Sequence, residues 1–271
     1  MDAGLILLPA FVLSALMIFT HTYLGLHVLA RGVIFVDLAL AQVAALGVSV
    51  AFLLGEEPHG PSARWYAFGA TLLAAFAFAG LRRVPGKTAR EVIIGCTYVV
   101  ATALSIVILS RSSQGMEQLK GLFNGNILWV SWGEIASVAV AYALLALLHA
   151  VFRRRFLALS FGEAAGKEGG AVAGFFWEFL FFASFAVVIT FAVNVAGVLL
   201  VFAFLIIPAF SASLLAAGFT RRLLLGWGLA LLGSGAGLWL AFVLDLPVGA
   251  TVVSVLGGLP VIAGGVRLLR R

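Results

Sequence analysis

The side chains of this sequence best suited to holding an ion lie near its N-terminus. Asp37 sits in the run Gly32-Val-Ile-Phe-Val-Asp37-Leu-Ala-Leu-Ala-Gln42, with no basic residue within four positions. Carboxylate and amide oxygens suit hard or borderline cations. Asp37 and Gln42 are five residues apart, about 500° around a helix of 3.6 residues per turn, so one pathway reaches both only if the helix is tilted or broken. Asp37 has two plainer readings, as a helix cap or as the partner of Arg31 six residues earlier. His21 and His27 flank the end of an apolar run. Imidazole is a ligand for divalent transition metals, and it also serves as an ordinary hydrogen-bonding group within a helix. His149 adjoins a basic cluster. Glu134 and Glu178 fall near the ends of apolar runs, where an interfacial carboxylate is a sufficient account.

Other chemistries lack their residues. There is no G-x-S-x-G nucleophile turn and no H-E-x-x-H metal motif. Gly86-Lys87-Thr88 resembles the end of a phosphate-binding loop, but the glycine required five positions before Gly86 is Leu81. The chain therefore does not bind ATP by that device, and if ATP drives it the motor is another polypeptide. The lone Cys96 excludes an intramolecular disulfide.

The elements that must position these groups are membrane helices. Of 271 residues, 63% are apolar and only 10% are charged, whereas a soluble domain is about a quarter charged. The mean hydropathy is +1.16. A soluble enzyme, a nucleic-acid binder and a disordered scaffold are excluded. The net charge of +6 is spread in short clusters between apolar runs, the pattern of cytoplasmic loops rather than of a nucleic-acid surface. A span needs about 20 mostly apolar residues. Nine segments qualify, near 4–27, 34–54, 64–81, 91–110, 127–150, 172–192, 195–217, 222–243 and 247–267. The stretch from Leu5 to Phe19 lacks the basic flank and cleavage site of a signal peptide and reads as part of the first span. Short connections leave no room for a soluble domain, so residues 1–271 form a single transmembrane domain. Gly233 and Gly237 make a small-xxx-small pair that allows helix backbones to approach closely.

Placing the loop at Arg31 inside and alternating from there leaves only Arg64, Arg111 and Lys120 outside, out of 17 Lys and Arg. The positive-inside bias therefore puts the N-terminus outside and the C-terminus in the cytoplasm. The outside loops near 55–63 and 111–126 carry Glu56, Glu57, His59 and Glu117, and the second is followed by the interfacial aromatics Trp129 and Trp132.

Two stretches carry a family resemblance. The first runs from His27 through Asp37 and Gln42 to Gly47. The second is Gly197-Val-Leu-Leu-Val-Phe-Ala-Phe-Leu-Ile-Ile-Pro208-Ala-Phe-Ser-Ala-Ser. Both strongly resemble the permease subunits of bacterial zinc, manganese and iron ABC importers, the metal-ion ABC-3 transporters. Phe242-Val-Leu-Asp245-Leu-Pro247-Val-Gly249 looks like the last outer turn of the same family. The resemblance implies an all-α integral membrane protein of eight to nine transmembrane helices, similar in fold to the vitamin B12 permease. It also implies a homodimer with a central pathway in the cell (inner) membrane. Separate ATP-binding subunits would hydrolyse ATP, and an extracytoplasmic metal-binding protein would deliver the ion. The chain itself would bind no cofactor and catalyse no reaction.

The resemblance extends to a cytoplasmic coupling loop at about 156–170, where Phe161, Glu163, Ala164, Ala165 and Gly169 match a short helix that docks on the ATPase. Gly162, Gly166 and Gly170 weaken that helix, each glycine costing up to about 1 kcal/mol against alanine. Pro208 is expected to bend or break its helix. One departure stands out. Many members carry an Asp and, four residues later, a His in the second span. Aligned on Gly47, the His position is Gln42, and Asp37 lies one place early. The expected substrate is therefore a divalent metal ion of unspecified identity, with Asp37, Gln42, His21 and His27 as its contacts. A permease for an iron chelate or cobalamin, and more remotely a secondary carrier, are the alternatives. A carrier would show paired broken helices in inverted repeats, and no internal repeat is present.

Overall fold

The computed structural model describes residues 3–57, 60–111, 125, 127–162 and 170–270, and the described residues contain helices and no strands. The helices are α1 (Ala3–Arg31), α2 (Val36–Leu53), α3 (Pro61–Gly80), α4 (Lys87–Leu109), α5 (Trp132–Val151), α6 (Arg153–Phe161), α7 (Gly170–Ala196), α8 (Val198–Leu215), α9 (Phe219–Leu244) and α10 (Val248–Leu269). Among the described residues nine helices, all but α6, are long and apolar enough to cross a membrane. Each corresponds to one of the nine segments read from hydropathy. The fifth span starts later than the expected 127. Residues Ile127–Trp129 form a 3-10 turn, and α5 starts at Trp132. The Ser131 hydroxyl accepts the Glu134 N–H at 3.2 Å, and the Ser131 N–H donates to Glu134 Oε2 at 2.9 Å. This is a reciprocal capping box, so Glu134 is spent on starting a helix.

The chain divides into two compact units. The first contains α1 up to Leu29, α5 up to Tyr142, and Val195 onward with α8, α9 and α10. Here α8 packs on α9 and α10, and α10 on α9. Small residues permit this. A Cβ on Gly237 would lie 2.7 Å from Val252 Cα, and one on Gly233 2.7 Å from Leu256 Cδ2, so the expected small-xxx-small pair seats α9 against α10. A side chain at Gly25 would collide with the Leu205 carbonyl, which lets α1 lie against the backbone of α8. Helix α8 runs unbroken through Pro208. The expected break is absent: proline removes one N–H, and in a membrane helix neighbouring groups accommodate that loss. Between α9 and α10, Asp245 adopts the left-handed conformation (φ 51°) and Leu246 N–H donates to Ala241 O at 2.9 Å. Pro247 then prevents continuation, as at many helix C-termini.

The second unit runs from Ala30 through α2, α3 and α4, and resumes with α5 from Ala143, α6, and α7 up to Asn194. At its centre α2 packs on both α3 and α4. It is the most deeply buried span, with 67% of its length inside the fold. A Cβ on Gly47 would lie 2.7 Å from Tyr66 O and 2.8 Å from Ala67 Cα, so α3 reaches α2 by backbone approach. Gly32 (φ 68°) turns the chain from α1 into α2, and Phe35 N–H, at the start of α2, donates to Glu91 Oε1 of α4 at 2.9 Å.

Candidate functional site

In the second unit the first turn of α2 holds Asp37, which is 1% exposed. Neither carboxylate oxygen has a hydrogen-bond partner among the described residues. Both plainer readings of Asp37 fail. Its carboxylate bonds no backbone N–H among the described residues, so it makes no cap there. Arg31 is engaged elsewhere: its Nη1 donates to Glu178 Oε2 at 2.7 Å, its Nε to Ser160 Oγ at 3.1 Å, and its guanidinium lies 3.9 Å from the Phe181 ring centre. Glu178 is therefore the counter-charge of Arg31 rather than a plain interfacial carboxylate. Gln42, about a turn and a half further along α2, is also 1% exposed, and neither of its amide atoms has a partner among the described residues. Helix α2 is continuous from Val36 to Leu53, so the break that would align Asp37 with Gln42 is absent. An intramembrane carboxylate costs about 3 kcal/mol or more, and buried polar groups are normally hydrogen-bonded. Asp37 and Gln42 are thus two buried polar side chains of α2 whose atoms have no hydrogen-bond partner among the described residues, and they are the candidate ion contacts of this unit.

In the first unit His21 and His27 are fully buried in α1. His21 Nδ1 lies 2.8 Å from the Met17 carbonyl oxygen. A carbonyl only accepts, so Nδ1 carries the proton and Nε2 the lone pair. Nε2 has no partner among the described residues. Metal-binding histidines are commonly arranged this way, with the far nitrogen anchored and the near one open. His27 is held among rings, 4.7 Å from Tyr23 and 5.5 Å from Phe219 between centres. Thr22 Oγ1 and Ser234 Oγ are buried in the same unit without hydrogen-bond partners among the described residues. Nothing in the sequence marks them, because serine and threonine are ordinary in membrane helices. The four expected metal contacts thus fall as two pairs in different units. Among the described residues no three His, Cys, Asp or Glu side chains gather closely enough to form a metal centre. His149 is a structural residue. Its Nε2 is 2.9 Å from Ser184 Oγ, and its ring stacks on Phe156 at 3.9 Å.

Of the expected coupling residues, Phe161 ends α6 with 43% of its surface exposed. Glu163, Ala164, Ala165 and Gly169 lie outside the described residues. Ser160, beside Phe161, is the residue that receives the Arg31 Nε hydrogen bond. The short helix α6 is thereby tied to the end of α1 and, through Arg31, to α7.

The sequence profile described as the ABC 3 transport family matches residues 5–265. A probable metal transport system membrane protein of Chlamydia pneumoniae is 24% identical over 255 residues, covering 93% of this chain and 86% of that one. The manganese transport system membrane protein MntC of Listeria innocua is 25% identical over 234 residues, covering 86% and 80%. Among solved structures, PsaBC from Streptococcus pneumoniae in complex with Fab superposes with a TM-score of 0.77 at 23% identity, covering 96% of this chain and 92% of that one. At that identity the likeness establishes the fold.

Proposed function

Because the chain belongs to the ABC 3 transport family, we propose that it is the membrane-spanning permease subunit of an ATP-driven importer for a divalent metal ion. The observation that carries the ion reading is Asp37, a buried carboxylate in a span with no partner among the described residues. Similarity to metal-transport membrane proteins, one of them a manganese system, supports the substrate class.

In this reading the chain hydrolyses nothing. The phosphate-loop glycine is missing at Leu81, and ATP is used by cytoplasmic partner subunits. An extracytoplasmic binding protein delivers the ion to the loops near 55–63 and 111–126, and a second copy of the chain completes the pathway. The distribution of basic residues supports an outer N-terminus and a cytoplasmic C-terminus.

The ion meets Asp37 and Gln42 on α2, and His21 and His27 on α1, in passing. A full coordination shell would hold it too tightly to release, and the scarcity of clustered donors suits weak, successive contacts. ATP binding to the partners displaces the segment 156–170. The Ser160–Arg31–Glu178 chain of contacts then passes that displacement to α1 and α7.

Uptake by proteoliposomes tests the proposal. The chain would be reconstituted with its ATPase and binding protein and offered manganese, zinc, ferrous iron and an iron chelate in turn. ATP-dependent accumulation of a free divalent ion supports it. Accumulation of the chelate alone, or accumulation driven by a proton gradient without the ATPase, overturns it.

A further inference from the structure

Helix α2 carries both candidate ion contacts of the second unit, yet its own sequence supplies no cap for its start. The first N–H groups of a helix have no partner inside it, and a Ser, Thr, Asp or Asn side chain at the N-cap usually takes one of them. Here the N-cap is Phe35, with no side-chain cap, and Gly32, Val33 and Ile34 before it carry no acceptor side chain. The nearest acceptor along the chain is Asp37, whose carboxylate bonds no backbone N–H among the described residues.

The acceptor comes from α4. Glu91 Oε1 takes the Phe35 N–H at 2.9 Å, a charge-assisted bond at the end of α2 where the helix dipole favours a negative group. Glu91 Oε2 is shut off from solvent. Lys87, one turn earlier on α4, reaches the same segment. Its Nζ donates to Ala30 O at 3.3 Å, and its stem packs over Gly32 (φ 68°), where a Cβ would lie 3.1 Å from Lys87 Cδ. Neighbouring side chains on one face of α4 thus hold both ends of the turn that joins α1 to α2. Phe35 O in turn accepts the Ala39 N–H at 2.9 Å. Asp37 lies inside that closed turn, so fixing Phe35 fixes the backbone that carries the Asp37 carboxylate.

We propose that Glu91 is a positioning residue for the ion, a role that rests on the transport reading of Asp37. By capping α2 from α4 it sets the place of Asp37 and leaves the Asp37 carboxylate for the ion rather than for the helix start. The property that matters is an acceptor oxygen at the right reach, because its partner is a backbone N–H. Its charge strengthens the bond without being essential to it.

Three substitutions separate reach from charge. Glu91→Gln keeps an acceptor at the same reach and drops the charge. Glu91→Asp keeps the charge and withdraws the oxygen by one methylene. Glu91→Ala removes both. The complex of chain, ATPase and binding protein is reconstituted in lipid, and its ATP hydrolysis is titrated with manganese ion and then with zinc ion. The half-stimulating ion concentration is expected to stay close to wild type in Glu91→Gln and to rise roughly tenfold in Glu91→Asp and Glu91→Ala. In an Asp37→Asn background Glu91→Ala is expected to add no further loss, since the two act in series. Hydrogen exchange of the purified chain without ion should follow the same order over residues 33–39, faster in Glu91→Asp and Glu91→Ala and near wild type in Glu91→Gln. Glu91→Asp is read in place of Glu91→Ala if the latter does not assemble.

Unchanged titration and exchange in Glu91→Asp overturn the proposal. So does loss in Glu91→Gln with retention in Glu91→Asp, which would make Glu91 a charge and not a cap. Full stimulation in Asp37→Asn overturns the transport reading of Asp37 and the role of Glu91 with it. Loss in Asp37→Asn with full stimulation in the Glu91 variants overturns the role of Glu91 alone.

Discussion

Arg31 and Glu178 meet at 2.7 Å across 147 residues of sequence, with side chains only 8% and 17% exposed. The pair joins the end of α1 to α7, and the same guanidinium holds Ser160 of α6. Breaking such a pair from one side leaves an uncompensated buried charge, at a cost of about 3 kcal/mol. Glu178→Gln is expected to lower the Tm of the purified chain by roughly 5 °C or more. Replacing both partners together, Arg31→Met with Glu178→Leu, is expected to recover part of that loss. A double variant no more stable than the single one would show that the pair contributes through Ser160 instead.

Much of the architecture was legible in the sequence, for a simple reason. A membrane helix announces itself over some 20 residues, so hydropathy found the nine long apolar helices among the described residues, and the Gly233/Gly237 spacing found a close helix contact. Contacts between distant segments have no such signature. Arg31 had a nearer apparent partner in Asp37, and only the folded chain shows that Glu178 takes it. Glu134 looked interfacial because its role depends on Ser131, a local motif at the lip of a span. Pro208 was expected to bend or break α8, and the helix runs through it without a break. Asp37 stands out in the sequence as a candidate because a carboxylate among apolar residues is conspicuous, whereas the equally buried Thr22 and Ser234 are not.

The capping box predicts a non-additive pair. Ser131→Ala and Glu134→Ala should each destabilise the start of α5 by about 1 kcal/mol. The double variant should cost clearly less than the sum, because each residue bonds the other's backbone. Thermal unfolding of the three variants in one detergent measures this. Full additivity would deny the coupling.

Glycine positions separate close approach from free space. A Cβ at Gly47 meets the α3 backbone, whereas at Gly69, also helical, it meets nothing within 4 Å. Gly47→Ala is expected to destabilise by about 1–3 kcal/mol through overpacking. Gly69→Ala is expected to be neutral or stabilising by up to about 1 kcal/mol. Monodisperse yield and Tm compare them, and equal behaviour would contradict the packing of α2 on α3.

The bonding of His21 predicts a graded response in transport. With Nδ1 anchored on Met17 and Nε2 open, His21→Ala removes a candidate donor, and ion uptake by the reconstituted complex should fall by roughly tenfold. ATP hydrolysis in the absence of ion should be preserved, because α1 keeps its other contacts. Unchanged uptake would make His21 a packing residue only.

The central claim is that the buried carboxylate of Asp37, which has no partner among the described residues, lies on the path of the ion. Ion-stimulated ATP hydrolysis by the complete complex, in lipid and with its binding protein, tests this most directly when wild type is compared with Asp37→Asn, which keeps the shape and removes the charge. The account predicts that a free divalent ion stimulates the wild-type complex, and that Asp37→Asn loses most of this stimulation while assembling normally and keeping its basal rate. Full stimulation in Asp37→Asn would contradict it.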